Sequence, residues 1–479
     1  MPNNISYKDT AARVVLEEGI YFRYIFEEYQ QEYDHLIQSG LYKALLDKGY
    51  IITHEEVIDE NPQAQIESQP QQKIYKKLLP HQIAFQSYPF EWSYGQWRKV
   101  LKSYLQINKI ALAHGMLLKD ATPYNFYIEK GRPVLLDTSS FVFFEEGSPW
   151  IAYKQFCTEM LSPLALMYYN GERWARLSMS HLRGMPLNFI SKQLPLKSWL
   201  NSTVLLHIHL HGKYANAEGE TNARKASLHN ETINKQRGFS KEKLLSLFGM
   251  IECSLDKWKQ AFEFEKHWLS YYENDIASEK YLQHKEVIIK EWLDKIKPAS
   301  VIDLGANTGR FSFIASEYAS KVIALESDTQ CVDAIDQAIL DMNKSLPVNE
   351  QKQIVAARID LAETTPNMGV LEKEYSSIYT RAKSTMVLAL AITHHLYIND
   401  QLSFVKISSM LNAFSERYAI TEYIPINDEK VQLLIKDKYR EYPDYTEVSF
   451  REALEVYFTI KEYKQLEGSN RIIYLLEKH

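Results

Sequence analysis

Apolar and polar positions in the C-terminal half of the chain predict short strands that alternate with helices. The apolar, β-branched runs that predict strands are Ser300–Leu304, Lys321–Leu325, Gln353–Ile359, Met386–Ile392 and Tyr418–Thr421. Between the first three runs, Arg310–Tyr318 and Cys331–Met342 have the apolar spacing of helices. Strands and helices that alternate at this spacing form βαβ units around a parallel sheet. The pattern therefore predicts an α/β fold for this half.

A further helix is predicted directly before the sheet. Its apolar positions recur at helical spacing and are Ile288, Ile289, Trp292, Leu293 and Ile296. Pro298 follows and ends the helix. We expect this helical neck to pack on one face of the sheet.

A polar, amide-rich stretch, Gly212–Ser240, divides the chain into two parts. It has almost no large apolar residues, so burial cannot offset the entropy of ordering it. We therefore predict an N-terminal domain over residues 1–211, a linker or loop over 212–240, and a C-terminal domain with its helical neck over 241–479.

Composition and charge exclude several classes of protein. The 479 residues are 45% hydrophobic, and 55 Lys and Arg against 61 Asp and Glu give a net charge of −6, so we expect no nucleic-acid partner. The N-terminus lacks the features of a secretion signal, and the clean apolar runs are shorter than the ~20 residues of a spanning helix. A cytoplasmic protein without a membrane partner is predicted. Three widely spaced cysteines predict neither a disulfide framework nor a zinc site.

The strongest local signal is an apolar strand that runs into a glycine-bearing turn and then into a helix. Gly305 allows a tight turn, and Gly309 allows a ligand or strand to approach the helix closely. A dinucleotide site would need glycine at positions 307 and 310, which are Asn307 and Arg310 here. The turn therefore does not match a dinucleotide site.

The same turn matches the pattern of S-adenosylmethionine (SAM) sites, an acidic residue followed by three alternating glycines. Asp303, Gly305 and Gly309 occupy three of those four positions. Asn307 takes the place of the middle glycine, and Asn tolerates a left-handed backbone better than most residues. SAM is therefore the predicted cofactor.

Two further acidic residues follow the next two predicted strands. Glu326 comes 21 residues after Gly305, at the strand end where a carboxylate can accept both ribose hydroxyls. Asp360 follows the third strand and can accept the adenine amino group, while Leu361 packs on the ring. The turn and both carboxylates together predict a nucleoside site; a nucleoside fold that has lost its ligand is the alternative.

The stretch VIDLGANTGRFSFIA resembles motif I of class I SAM-dependent methyltransferases. The wider chain resembles the bacterial NoeA-like methyltransferase group in FQSYPFEWS, LLKDATPYNFYIEKGRPVLLDTSSF, WIAYKQFCTEMLSPL, LALAITHHL and RIIYLL. The resemblance implies a Rossmann-like class I methyltransferase sheet and methyl transfer, and it supplies no acceptor. It also implies that Asp303, Gly305, Glu326 and Asp360 contact SAM.

The N-terminal half contains a second group of polar residues. Asp120 and Asn125 are followed twelve residues later by Asp137, a spacing that resembles the catalytic loop and metal-binding aspartate of kinase-like phosphotransferases. No glycine-rich loop precedes them, and no convincing strand lysine is present. We expect an α+β kinase-like fold without catalysis; an active nucleotide and metal site, or a coincidence, are the alternatives.

Acceptor residues of such a sheet are expected beyond its fourth and fifth strands. His394 and His395 follow the fourth strand, and Glu422 lies at the end of the fifth. Each is a candidate catalytic base, because methyl transfer often requires removal of a proton. Structural roles, such as capping a helix, are the alternative. No metal is predicted, because the paired histidines lack a third ligand at a recognisable spacing.

The sequence thus predicts a SAM-dependent methyltransferase that acts on a small-molecule or biosynthetic-intermediate acceptor. Two other hypotheses remain, a bifunctional enzyme that also transfers phosphate through Asp120 and Asp137, and a non-catalytic SAM-binding scaffold. The atom methylated and the oligomeric state have no signal in the sequence.

Overall fold

The computed structural model describes residues 9–58, 72–213, 240–258, 276–347, 350–436 and 438–479. The chain divides into two compact units. The first comprises Met1–Ile83, Tyr88–Ile128 and Pro133–Glu263, and the second comprises Ala84–Ser87, Glu129–Arg132 and Phe264–His479. Most of the predicted linker, residues 214–239, lies outside the described residues.

The first unit contains a small antiparallel sheet and several short hairpins. Its strands are β1 (Ala12–Glu17), β2 (Ile20–Phe26), β3 (His54–Val57), β4 (Ile74–Pro80), β5 (Met116–Leu118), β6 (Phe126–Glu129), β7 (Arg132–Leu135) and β8 (Phe141–Phe143). The first four form a sheet in the order β1-β2-β4-β3, and β5 pairs with β8 and β6 with β7.

Helices supply most of the first unit's core. They are α1 (Gln30–Gln38), α2 (Leu41–Leu46), α3 (Tyr94–Ala113), α4 (Tyr153–Gln155), α5 (Ser162–Asn170), α6 (Leu177–Ser180), α7 (Leu187–Gln193), α8 (Ser202–Val204) and α9 (Lys241–Lys257). Helix α3 begins with a capping box, in which Ser93 and Gln96 each accept from the other's backbone amide. The unit therefore has both strands and helices, as an α+β domain does.

Helix α9 belongs to the first unit, whereas the sequence predicts that residues 241 onward begin the C-terminal domain. Its apolar face, Leu244, Phe248, Ile251 and Leu255, belongs to the core of the first unit. Tyr94 of α3 also donates a hydrogen bond of 3.0 Å to the carbonyl of Trp258. Burial of this face against α3 groups the helix with the first unit.

A seven-stranded sheet forms the centre of the second unit. Its strands are β9 (Ser300–Leu304), β10 (Lys321–Glu326), β11 (Ile354–Arg358), β12 (Ser384–Ala389), β13 (Ser415–Tyr423), β14 (Phe458–Gln465) and β15 (Ile472–Lys478). The order is β11-β10-β9-β12-β13-β15-β14. The first five strands are parallel, and β15 is antiparallel to both β13 and β14. This confirms the α/β fold and all five predicted strands.

Helices cover both faces of this sheet. They are α10 (Ile276–Ile296), α11 (Arg310–Ala315), α12 (Thr329–Lys344), α13 (Ile378–Arg381), α14 (Thr393–Ile398), α15 (Phe404–Phe414), α16 (Glu429–Ile435) and α17 (Glu447–Glu455). One core contains apolar residues of α10, α11 and α12, and another contains those of α15 and α17. The predicted neck is thus part of α10, whose Ile289, Trp292 and Leu293 are fully buried.

No helix among the described residues is both long enough and apolar enough to cross a membrane.

Candidate functional site

The turn after β9 places three residues in left-handed backbone conformations. Gly305, Asn307 and Gly309 have φ values of +73°, +50° and +84°. Gly305 and Ala306 both donate backbone hydrogen bonds to the carbonyl of Leu325 in β10. A Cβ on Gly305 would lie 3.0 Å from Cδ1 of Ile392. Glycine is therefore favoured at position 305 by its backbone and by the closeness of Ile392.

Glu326 ends β10 and lies directly beside this turn. One carboxylate oxygen, Oε2, accepts a hydrogen bond of 2.8 Å from the Asn307 amide. The other, Oε1, accepts from the amides of Ser327 and Asp328 and from the Ser327 hydroxyl. Burial raises the pKa of Glu326, although these amides act in the opposite direction. Each carboxylate oxygen offers about two acceptor sites, and Oε2 accepts only one hydrogen bond here, so Oε2 is the oxygen with an acceptor site left.

Asp303 lies within β9 and is almost fully buried. Its Oδ2 accepts a hydrogen bond of 2.7 Å from the Ser312 hydroxyl on α11. Burial raises the pKa of Asp303 to about 6. The side chain therefore supports the start of α11 behind the turn.

Asp360 and Leu361 follow β11, the neighbour of β10. Asp360 is exposed and accepts a hydrogen bond of 2.9 Å from the Ala362 amide, while Leu361 is buried. The Ile359 amide donates to the carbonyl of Glu326, so the ends of β10 and β11 are adjacent. The structure thus brings the predicted turn and both predicted carboxylates to one edge of the sheet.

The predicted acceptor residues lie at the ends of β12 and β13 and differ in exposure. His394 and Glu422 are fully buried, and His395 is partly exposed. Burial lowers the pKa of His395 to about 4, with Lys430 and Lys438 acting in the same direction. Burial and His395 also lower the pKa of His394 well below its usual range. Of the three, only His395 offers surface to an acceptor in this arrangement.

Several buried charged residues around Glu422 were not predicted from the sequence. Lys285 of α10 forms an ion pair with Glu422 Oε2, at 2.5 Å. Arg471, next to β15, forms two hydrogen bonds of 2.8 and 2.9 Å with Asp428. Its Nη1 lies 3.9 Å from Glu422 Oε1. Lys285 stands 137 positions from Glu422, and no local pattern connects them.

In the first unit, the predicted kinase-like residues lie around Ser139 and Ser140. Asp137 forms an ion pair with Arg23 of β2. The Ser139 amide and hydroxyl both donate to Asp137 Oδ1, at 2.9 and 2.6 Å. Burial by itself raises the pKa of Asp137, but Arg23 and the Ser139 donors outweigh it, and the net shift is downward. This carboxylate thus has close partners within the first unit.

Asn125 and Asp120 lie near Asp137 and Ser140 but make longer contacts than Ser139 does. Asn125 Nδ2 lies 3.5 Å from Asp137 Oδ2, and Ser140 Oγ lies 3.5 Å from Asp120 Oδ2. Burial raises the pKa of Asp120. Among the residues that the structure covers, no group of three or more His, Cys, Asp or Glu side chains has the geometry of a metal site.

Comparison with known proteins gives similarity over most of the chain. No family model matches. Nodulation protein NoeA of Rhizobium meliloti (strain 1021) is 27% identical over 408 residues, which cover 84% of this chain and 82% of NoeA. An rRNA adenine N-6-methyltransferase of Bacillus licheniformis is 27% identical over 106 residues, 20% of this chain and 37% of that protein.

Two solved structures are similar over less than half of the chain. Magnesium protoporphyrin IX methyltransferase (ChlM) from Synechocystis PCC 6803, with bound SAM, has a TM-score of 0.33 and 15% identity, and covers 45% of this chain and 92% of its own. N-methyltransferase NodS from Bradyrhizobium japonicum WM9 has a TM-score of 0.30 and 8% identity, and covers 42% of this chain and 99% of its own.

Proposed function

We propose that the second unit is a SAM-dependent methyltransferase. The observation that carries this proposal is the contact of Glu326 Oε2 with the Asn307 amide. The contact joins the ends of β10 and β9, and β9 is where the strand order reverses, with β10 and β11 on one side and β12 and β13 on the other. Open α/β sheets bind their ligands in the crevice at such a reversal, beyond the carboxyl ends of the strands.

The residues at this edge fit SAM. Glu326 Oε2 has capacity for a ribose hydroxyl, and the exposed Asp360 carboxylate can accept the adenine amino group, with Leu361 against the ring. Gly305 and Asn307 let the backbone approach the ligand. When bound, SAM supplies an electrophilic methyl group on a sulfonium.

The acceptor is a small molecule that enters beyond β12 and β13. His395 is the candidate group for taking up the acceptor proton, because it is partly exposed and follows β12, where acceptor residues of such a sheet are expected. The net charge of −6 offers no basic excess for nucleic acid. The matched rRNA methyltransferases correspond to only 20% of the chain. A small-molecule acceptor agrees with the net charge and with this short match.

The first unit is proposed to be a kinase-like fold that does not transfer phosphate and that contributes to acceptor recognition. The ion pair between Arg23 and Asp137 supports the absence of phosphate transfer, because Arg23 occupies the carboxylate that a magnesium ion would need. Under the bifunctional alternative, Asp137 must exchange Arg23 for the metal when nucleotide binds.

Calorimetry on the full chain tests the cofactor. We expect micromolar binding of SAM and of S-adenosylhomocysteine and no binding of NAD. Tight NAD binding without SAM binding would contradict the proposal. Incubation with methyl-labelled SAM and an extract of the source cells, followed by mass spectrometry of the labelled product, tests turnover. SAM binding with no labelled product from any extract would instead support the scaffold hypothesis.

A further inference from the structure

The second unit contains an ion pair that is almost completely removed from water. Lys285 and Glu422 have side-chain exposures of 2% and 0%, and their charged atoms are 2.5 Å apart. Burial lowers the pKa of Lys285, and Glu422 opposes that shift. Because desolvation offsets much of the attraction in a buried pair, apolar residues of the same volume could provide similar stability. The other contacts of Glu422 indicate a role beyond stability.

Glu422 also holds the chain that leaves β12. Its Oε2 accepts a hydrogen bond of 2.9 Å from the backbone amide of Ala391, and its own carbonyl accepts one of 2.7 Å from the Thr393 hydroxyl. Ala391 has φ +52°, a left-handed conformation that favours glycine. Two hydrogen bonds thus hold a strained turn on either side of Ile392.

This turn determines what faces the proposed SAM site. Ile392 lies against Gly305, so that a Cβ on Gly305 would be 3.0 Å from Ile392 Cδ1. The next residues start α14 and include His395, the partly exposed candidate base. A different backbone conformation at Ala391 would move both Ile392 and the start of α14.

We propose that Lys285 and Glu422 are positioning residues, which hold Ala391 in its left-handed conformation and thereby place Ile392 and His395 at the SAM and acceptor site. Lys285 fixes the orientation of the Glu422 carboxylate, and that carboxylate fixes the turn. This role rests on the proposed methyltransferase function and replaces the prediction that Glu422 is a base. Glu422 does not contact the acceptor; it acts through the 391–395 segment.

The test variant is Lys285→Met/Glu422→Gln, which removes both charges at similar volume. In hydrogen exchange measured by mass spectrometry with saturating S-adenosylhomocysteine, residues 391–395 should exchange about tenfold faster than in the wild type, since the hydrogen bond from the Ala391 amide loses its charged, fixed acceptor. Strand β9 serves as the internal control and should be unchanged. Adding Ala391→Gly to the double variant should slow exchange at 391–395 by about fivefold, because glycine adopts the left-handed conformation without strain.

Glu422→Asp is the second variant and is used if the double variant does not fold. It keeps the charge but shortens the side chain, so the Ala391 contact is lost and the same local acceleration is expected. Unchanged exchange at 391–395, equal acceleration in β9, or no reversal by Ala391→Gly would each overturn the positioning role. Failure of the wild type to bind S-adenosylhomocysteine would overturn the proposed cofactor instead. In that case, hydrogen exchange measured without the ligand would still test whether Lys285 and Glu422 hold the turn.

Methyl transfer gives an independent readout. With labelled SAM and cell extract, the double variant should lose at least about tenfold in rate, and its S-adenosylhomocysteine affinity should fall by a smaller factor because Glu326 and Asp360 are unchanged. Ala391→Gly should recover part of the rate. A base at position 422 would predict the same loss without any recovery, and that result would contradict our proposal.

Discussion

The Glu326 carboxylate accepts a hydrogen bond from the backbone amide of Asn307, and this contact ties the ends of two neighbouring strands together. The same side chain accepts from two further amides and a hydroxyl. Glu326 therefore holds the turn that borders the proposed SAM site through hydrogen bonds within the protein. A substitution that removes the whole carboxylate would disturb the turn as well as the ligand contact.

Glu326→Gln keeps the size of the side chain and one acceptor oxygen but removes the charge. We expect SAM affinity to fall about 10- to 100-fold, because a charge-assisted hydrogen bond contributes ~1.5–3 kcal/mol. Calorimetry measures the affinity. Glu317→Gln is the matched control, because this exposed carboxylate lies in the turn after α11 and should not affect binding. Unchanged affinity in Glu326→Gln would remove Glu326 from the SAM site.

Gly305→Val should abolish SAM binding. Valine is strained at φ +73°, and its branched side chain would compete with Ile392 for space beside the turn. Gly468→Val separates strain from crowding, because Gly468 has φ +75° and a Cβ added there would have no atom within 4 Å. The control variant should lose a similar amount of stability and keep SAM binding. Loss of binding in both variants would mean that strain alone explains the effect.

Asp303→Asn should stabilise the folded protein at neutral pH. Burial raises the pKa of Asp303 to about 6 from an ordinary value near 3.9. The folded state holds the proton more tightly, so the wild type loses stability as the pH rises from about 4 to 6. The variant lacks this loss and should be more stable by ~1–3 kcal/mol at pH 7. Chemical denaturation at pH 4 and 7 checks this, and equal differences at both pH values would contradict it.

Asp137→Asn should destabilise the first unit and leave methyl transfer nearly intact. Arg23 would lose its partner in a mostly buried pair, at a cost of ~1–3 kcal/mol. Because the folded pKa of Asp137 is lowered, its stabilisation is present above about pH 4 and is lost as the pH falls. The difference in unfolding temperature between variant and wild type should therefore shrink below that pH.

Binding of magnesium and ATP distinguishes the architectural role of Asp137 from the bifunctional enzyme. If the first unit only supports the architecture, a thermal-shift titration of the full chain with magnesium and ATP should show no stabilisation. A clear stabilisation that Asp137→Asn removes would favour the bifunctional enzyme, in which Asp137 binds the metal.

The local features of the second unit were predictable because their causes lie close together in the sequence. Apolar periodicity predicted β9 to β13, and the spacing around Gly305 predicted a turn that does need left-handed backbone at three positions. The placement of Glu326 and Asp360 followed from one rule, since carboxyl ends of neighbouring parallel strands share an edge. These predictions needed no knowledge of packing between distant elements.

Only the tertiary structure determines which residues form the buried ion pairs. Lys285 and Glu422 are 137 positions apart, and Arg23 and Asp137 are 114 apart. Whether a charged side chain contacts a partner or water depends on which helix covers which strand. Lys285 lies on α10, and the sequence predicts only the apolar face of that helix. The exposure of His395 and the burial of His394 and Glu422 were decided in the same way. Burial is a property of the packed unit, and the same residue types at the same spacing would be solvated on an uncovered sheet.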